Sequence, residues 1–205
     1  MTPDPPCPYV SRGGLKLAAA LDAFGVDPSG WTCADLGCNV GGFTDCLLQR
    51  GAAHVYAVDT GYGALAWKLR QDPRVTVLER TNALHFDPAA IAGFGGCDLV
   101  TIDLAWTRQC RAIPAALRWL RQGGFIITLI KPHYEADRAQ FPRASRGVLD
   151  EETARQVAQG VLGTLHALGA RVVSHIVSPI RGGAGKGHQG NVEYLAALTP
   201  FVVTS

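Results

Sequence analysis

An α/β domain built on a mostly parallel sheet is the fold class this sequence predicts, and three observations predict it. Short apolar runs alternate with amphipathic segments through most of the chain, the pattern of strands that are each followed by a covering helix. The run Ala34-Asp-Leu-Gly-Cys-Asn-Val-Gly-Gly-Phe-Thr-Asp45 stops a strand at a glycine loop, where bare backbone admits a ligand that a Cβ would exclude. One strand later, Val55-Tyr-Ala-Val-Asp59 ends on an acid, a carboxylate placed to accept hydrogen bonds from both hydroxyls of a ribose. Loop and acid together read as a nucleoside-binding unit.

The elements follow in order. Residues 1–10 hold four prolines and little periodicity, so they are expected to form an extended arm ahead of a single domain over 11–205. Leu15, Leu17, Ala18, Leu21 and Phe24 recur at helical spacing, and Gly25 supplies the stop. Strands are expected near 32–36, 54–58, 75–78, 98–103 and 125–131, with helices near 43–50, 63–70, 112–121 and 151–168. Two last strands near 171–177 and 191–198 have no helix between them, only the loop Pro179-Ile-Arg-Gly-Gly-Ala-Gly-Lys-Gly-His-Gln-Gly190, so they should pair antiparallel. The long irregular stretches at 132–150 and 179–190 follow strands at their C-terminal ends, the edge where ligands sit in open α/β sheets.

Bulk composition sets outer limits. A chain of 205 residues with 47% apolar and 18% charged content is ordinary for one well-buried domain. No apolar run approaches the roughly 20 residues of a membrane span, and the first residues lack the regions of a signal peptide. The expected location is the cytoplasm. Six cysteines are scattered without a C-x-x-C pair or a zinc-spaced Cys/His cluster, so reduced thiols and no metal are expected. A net charge of +2 argues against an indiscriminate polyanion binder and leaves nucleic-acid contact to local basic clusters.

Four charged residues fall where such a sheet converges: Lys16 in the first helix, Asp103 ending the fourth strand, Lys131 ending the fifth and Glu193 entering the last. An ammonium closing the apolar run that ends at Ile130 needs a partner, and Asp103 is the natural one. Two lysines on two acids can serve to take a proton from a weak hydroxyl. Two structural ion pairs are the competing reading.

Five segments carry a family resemblance in order and spacing: Tyr9-Val-Ser-Arg-Gly-Gly-Leu-Lys-Leu17, Asp35-Leu-Gly-Cys-Asn-Val-Gly-Gly-Phe-Thr-Asp45, Glu79-Arg-Thr-Asn-Ala83, Lys131-Pro-His-Tyr-Glu135 and Gly190-Asn-Val-Glu-Tyr194. The chain resembles the FtsJ/TlyA-like RNA 2′-O-methyltransferases from about Tyr9 to about Leu198. The resemblance implies a Rossmann-like fold with a seven-stranded sheet whose last strand is antiparallel, S-adenosylmethionine as cofactor, and a Lys-Asp-Lys-Glu tetrad falling on Lys16, Asp103, Lys131 and Glu193. It implies that Gly37, Gly41 and Phe43 line the methionine and sulfonium end, that Asp59 holds the ribose, that Asn82 and Ala83 border the adenine, and that Thr60 also contacts the cofactor. Cys38, Asn39 and Gly42 complete the cofactor loop, and Asp103 closes it from the fourth strand.

The sequence also departs from the pattern. TlyA-type proteins carry an RNA-binding S4 domain before the Tyr-Val-Ser-Arg segment, whereas eight residues precede Tyr9, so RNA capture is expected to use other surfaces or an accessory partner. Asp103-Leu-Ala-Trp-Thr-Arg-Gln109 differs from the usual Asp-Val-Ser-Phe-Ile-Ser, placing Trp106 and Arg108 beside the transfer centre. Cys38 and Asn39 replace small loop residues. Arg12, Arg138, Arg143, Arg146, Arg181 and Lys186 are the candidate RNA contacts, with phosphate attraction supplying affinity and the pocket selecting a splayed nucleotide. His133 and Tyr134 would stack on that base or pack on the sheet.

The expected activity is therefore methyl transfer to a ribose 2′-hydroxyl of RNA, with ribosomal RNA or a ribosomal particle as partner. Lys131 would activate the oxygen, Asp103 would orient Lys131, and Lys16 with Glu193 would complete the network. A small-molecule methyltransferase and a catalytically silent RNA-binding factor are the rivals. A nicotinamide dehydrogenase is remote, because Gly37-Cys-Asn-Val-Gly-Gly42 does not fit G-x-G-x-x-G.

Overall fold

A computed structural model describes residues 7–137, 148–183 and 190–201. Seven strands form one sheet in the order β3-β2-β1-β4-β5-β7-β6: β1 (Thr32–Leu36), β2 (His54–Val58), β3 (Val75–Leu78), β4 (Cys97–Ile102), β5 (Leu120–Ile130), β6 (Ala170–Val177) and β7 (Tyr194–Pro200). The first five run parallel, and β7 is antiparallel to both β5 and β6.

Alternation along the strands sorts side chains to two faces. On one face Leu99, Ile127 and Leu129 meet α1 (Gly13–Phe24), α2 (Gly42–Gln49) and α3 (Trp67–Arg70). On the other, Val100, Ile102, Ile126 and Ile130 meet α4 (Gln109–Leu117) and α6 (Glu151–Thr164). Gly25 at φ 66° ends α1, and the bond from Val26 N to Leu21 O at 2.8 Å closes the turn, the left-handed helix stop that glycine favours. No helix among the described residues is long and apolar enough to cross a membrane.

Several boundaries differ from the pattern-based expectation: α4 runs Gln109–Leu117 rather than 112–121, and β7 runs Tyr194–Pro200 rather than 191–198. β5 begins at Leu120, across Arg121, Gln122, Gly123 and Gly124, where a helix end and turn were expected; Cys97 pairs with Leu120 through a register shift, so the sheet extends into turn-like residues. The expected helix 63–70 is reduced to α3, because Gly63 takes φ 75° and Ala66 is extended. The stretch after β5 opens with α5 (Pro132–Glu135), whose proline sits at the first helical position. Residues 8–10 lie against α2: Gln49 Nε2 donates to Pro8 O at 3.0 Å, and Val10 N donates to Asp45 Oδ2 at 2.8 Å.

Candidate active site

Strand register alone gathers most of the site. Leu36 pairs with Val58 and Ile102, so Gly37, Asp59 and Asp103 are neighbours just past three strand ends. Ile130 pairs with Tyr194 in antiparallel register, which makes Lys131 and Glu193 neighbours in turn. This is the C-terminal edge of the sheet at the point where strand order reverses, between β1 and β4.

A cavity of about 420 Å³ occupies that edge, with Gly37, Asn39, Asp59, Thr60, Asn82, Ala83, Asp103 and Lys131 in its wall. Its size suits a nucleoside-type ligand. A smaller recess of about 130 Å³ shares Gly37, Asn39 and Asp103 with it and adds Ser11, Gly13, Cys38, Gly42 and Phe43. Asp59 faces the larger space with one oxygen accepting from Asn39 N at 2.8 Å and the other from Gly61 N at 2.7 Å. These bonds fix the carboxylate and leave acceptor capacity on each oxygen. Asn82 borders the same space and also accepts from Leu84 N at 3.0 Å, so it caps its own loop as well.

The loop glycines have distinct reasons to be glycine. A Cβ on Gly37, at φ 92°, would stand 2.7 Å from Asp103 O, so glycine lets β1 and the end of β4 close on one another. Gly41, expected beside the methionine end, lines neither cavity; a Cβ there would strike Leu65 just before α3 and Leu69 within it. Its small size serves helix packing. Phe43 does both, being buried among Leu17 and Leu47 while bordering the small recess.

The four tetrad residues come together as two ion pairs. Lys131 Nζ lies 2.5 Å from Asp103 Oδ1 and donates to Leu104 O at 3.3 Å. Lys16 Nζ lies 2.5 Å from Glu193 Oε2. Burial raises the Glu193 carboxyl above the ordinary carboxylate range, and Lys16 opposes the rise. The backbone of Gly182 closes over Glu193 so tightly that a Cβ would overlap the carboxylate.

Beyond Lys131 a third cavity of about 400 Å³ is walled by Trp106, Arg108, His133 and Tyr134. Trp106 is exposed, takes φ 56°, and its ring lies 4.8 Å from that of Tyr134. Burial, then Lys131 and Lys16, press the His133 pKa down to about 4, so its imidazole is neutral near pH 7. Arg12 stands at the N-cap of α1. Arg181 pairs with Glu151 in the first turn of α6. Arg138, Arg143, Arg146 and Lys186 lie outside the described residues.

Several supporting residues inside the family-resembling segments had no role assigned from the sequence. Asp35 is fully buried beneath the pair and accepts from Thr44 N at 2.9 Å, Thr44 Oγ1 at 2.7 Å and Thr101 Oγ1 at 3.2 Å. Asp45 joins Val10 N to Lys68 Nζ, the latter at 2.9 Å. Ser11 packs so closely on Gly42 that a Cβ there would lie 2.2 Å from its Oγ. Burial raises the thiols of Cys33, Cys38, Cys46 and Cys97, which keeps them as neutral thiols.

A mostly parallel sheet ending in an antiparallel strand, with a glycine loop and an acid at its switch point, is the Rossmann-like methyltransferase fold. The chain belongs to the FtsJ-like methyltransferase family, whose model matches residues 9–198. It is 43% identical over 193 residues to the 16S/23S rRNA (cytidine-2′-O)-methyltransferase TlyA of Mycobacterium tuberculosis, covering 93% of this chain and 68% of that one. It is 40% identical to the candidate rRNA methyltransferase YqxC of Bacillus subtilis, over 94% of this chain and 66% of YqxC. Among solved structures, a candidate hemolysin from Streptococcus thermophilus superimposes with a TM-score of 0.87 at 36% identity, covering 97% of this chain and 69% of that one. The chain thus spans about two thirds of the length of these relatives.

Proposed function

We propose that this protein transfers the methyl group of S-adenosylmethionine to a ribose 2′-hydroxyl of RNA, with ribosomal RNA as the substrate class. The observation that carries the reading is the Lys131–Asp103 pair, which stands in the wall of the cofactor-sized cavity and next to the aromatic recess beyond it. The relatives named for cytidine 2′-O-methylation support the acceptor class.

The cofactor supplies an electrophilic methyl on a sulfonium. In this reading Asp59 and Thr60 hold its ribose, Asn82 and Ala83 border its adenine, and Gly37, Cys38, Asn39, Gly42 and Phe43 flank its methionine end. Lys131 Nζ addresses the acceptor oxygen and, as the neutral amine, takes up the hydroxyl proton to become the ammonium that Asp103 pairs with and orients. Lys16 and Glu193 brace the pair from behind. Alignment supplies much of the acceleration, because displacement at the methyl needs the oxygen held close and in line.

Incubating the protein with labelled S-adenosylmethionine and ribosomal RNA or particles tests this. The expected product is label in RNase-sensitive material, at a position made resistant to alkaline cleavage by its 2′-O-methyl group. Label confined to a base or to a small-molecule fraction would overturn the reading.

A further inference from the structure

One buried polar cluster near the reactive pair touches neither cavity's ligand side. Gln109, 3% exposed at the first position of α4, donates its Nε2 to Leu129 O at 3.2 Å and accepts from Thr128 Oγ1 at 2.8 Å. Its backbone N–H points elsewhere, to Glu135 Oε1 at 2.7 Å. The N-cap of α4, Arg108, offers no side-chain bond, so a carboxylate from another element satisfies the helix start. Burial raises the Glu135 carboxyl, while the Gln109 N–H and then Arg108 hold it down.

The positions of these contacts give them a purpose. Asp103 lies six residues before Gln109, and Lys131 lies between Leu129 and Glu135. Gln109 therefore holds the end of β5 before Lys131 and α5 after it, and the loop 104–108 is pinned at both ends. That loop contains Trp106 at φ 56°, a conformation that a non-glycine residue keeps only when its surroundings hold it.

We propose that Glu135 and Gln109 are positioning residues, a clasp between the loop after β4 and the turn after β5 that sets the Lys131–Asp103 geometry. The proposal rests on the RNA methyltransferase reading for its kinetic readout. Glu135→Ala lowers kcat about 10- to 100-fold, the scale of a misplaced reacting group, with cofactor affinity unchanged and the Gln109 amide exchanging faster with solvent. Glu135→Gln keeps an acceptor oxygen and restores kcat and amide protection.

Thr128→Val, near isosteric, loosens the same clasp from β5 and carries the test if Glu135→Ala does not fold; it lowers kcat about threefold or more, the loss of one buried bond. Wild-type kcat in whichever of these variants folds overturns the clasp. Equal loss in Glu135→Ala and Glu135→Gln also overturns it, by assigning the effect to charge. A wild-type protein that methylates no RNA instead contradicts the functional reading, and the Gln109 exchange rate still decides the clasp.

Discussion

Lys16–Glu193 and Lys131–Asp103 are two lysine–carboxylate pairs of the same 2.5 Å length at the same sheet edge, and they differ in what surrounds them. The Glu193 side chain is 3% exposed and sealed under Gly182, whereas Asp103 is 26% exposed and faces a cavity. Under the proposed function, identical chemistry splits into a brace and a reactive pair. Burial makes the difference: a sealed pair strongly resists loss of one member, while an open pair is free to exchange its partner for a substrate.

The largest expected effect separates the two. Lys131→Ala lowers methyl transfer about 1,000-fold or more, because it removes both the proton acceptor and the group that orients the oxygen, and calorimetry finds the cofactor still bound. Glu193→Ala acts first on stability, leaving the Lys16 ammonium buried without its partner at a cost of about 3–5 kcal/mol in chemical denaturation. Replacing both members, Lys16→Met with Glu193→Leu, recovers most of that loss if the pair is a brace.

Asp35 sharpens the comparison as a third acid with no lysine. Full burial pushes its carboxyl up to about 7, with the bonds from Thr44 and Thr101 opposing the rise. Its folded-state pKa lies above the unfolded value, so the stability linked to its proton is present at low pH and lost as pH rises from about 4 to about 7. Asp35→Asn should flatten that decline, a difference of about 4 kcal/mol between the two proteins' pH profiles; parallel profiles would contradict the assignment. Asp59→Ala is smaller again. Losing hydrogen bonds to a charged acceptor should weaken S-adenosylmethionine binding by about 2 kcal/mol, and an unchanged calorimetric affinity in the folded variant would remove Asp59 from the site.

The sequence made the cofactor side more legible than the acceptor side. Gly37 and Asp59 sit at strand ends whose apolar runs announce them, and the tetrad follows because each member flanks such an end or a helix stripe. The packing of Gly41 on Leu65 and Leu69 is hidden because only the fold brings those residues to it. The start of β5 is hidden because Gly123 and Gly124 read as a turn until Cys97 pairs with Leu120. Asp45, Gln109 and Glu135 act through backbone groups distant in sequence, for which no periodicity exists. Nor does any pattern separate the sealed pair from the open one, since Gly182 meets Glu193 only after the last two strands pair.

Single-turnover methyl transfer by Lys131→Arg tests the central claim most directly. Arginine keeps the positive charge beside Asp103 but holds its proton under all working conditions. If Lys131 takes the proton of the acceptor hydroxyl, the variant binds S-adenosylmethionine and RNA normally and transfers the methyl group at least about 100-fold more slowly. Transfer at a near-normal rate would contradict that role and reduce the open pair to an electrostatic support like its sealed neighbour.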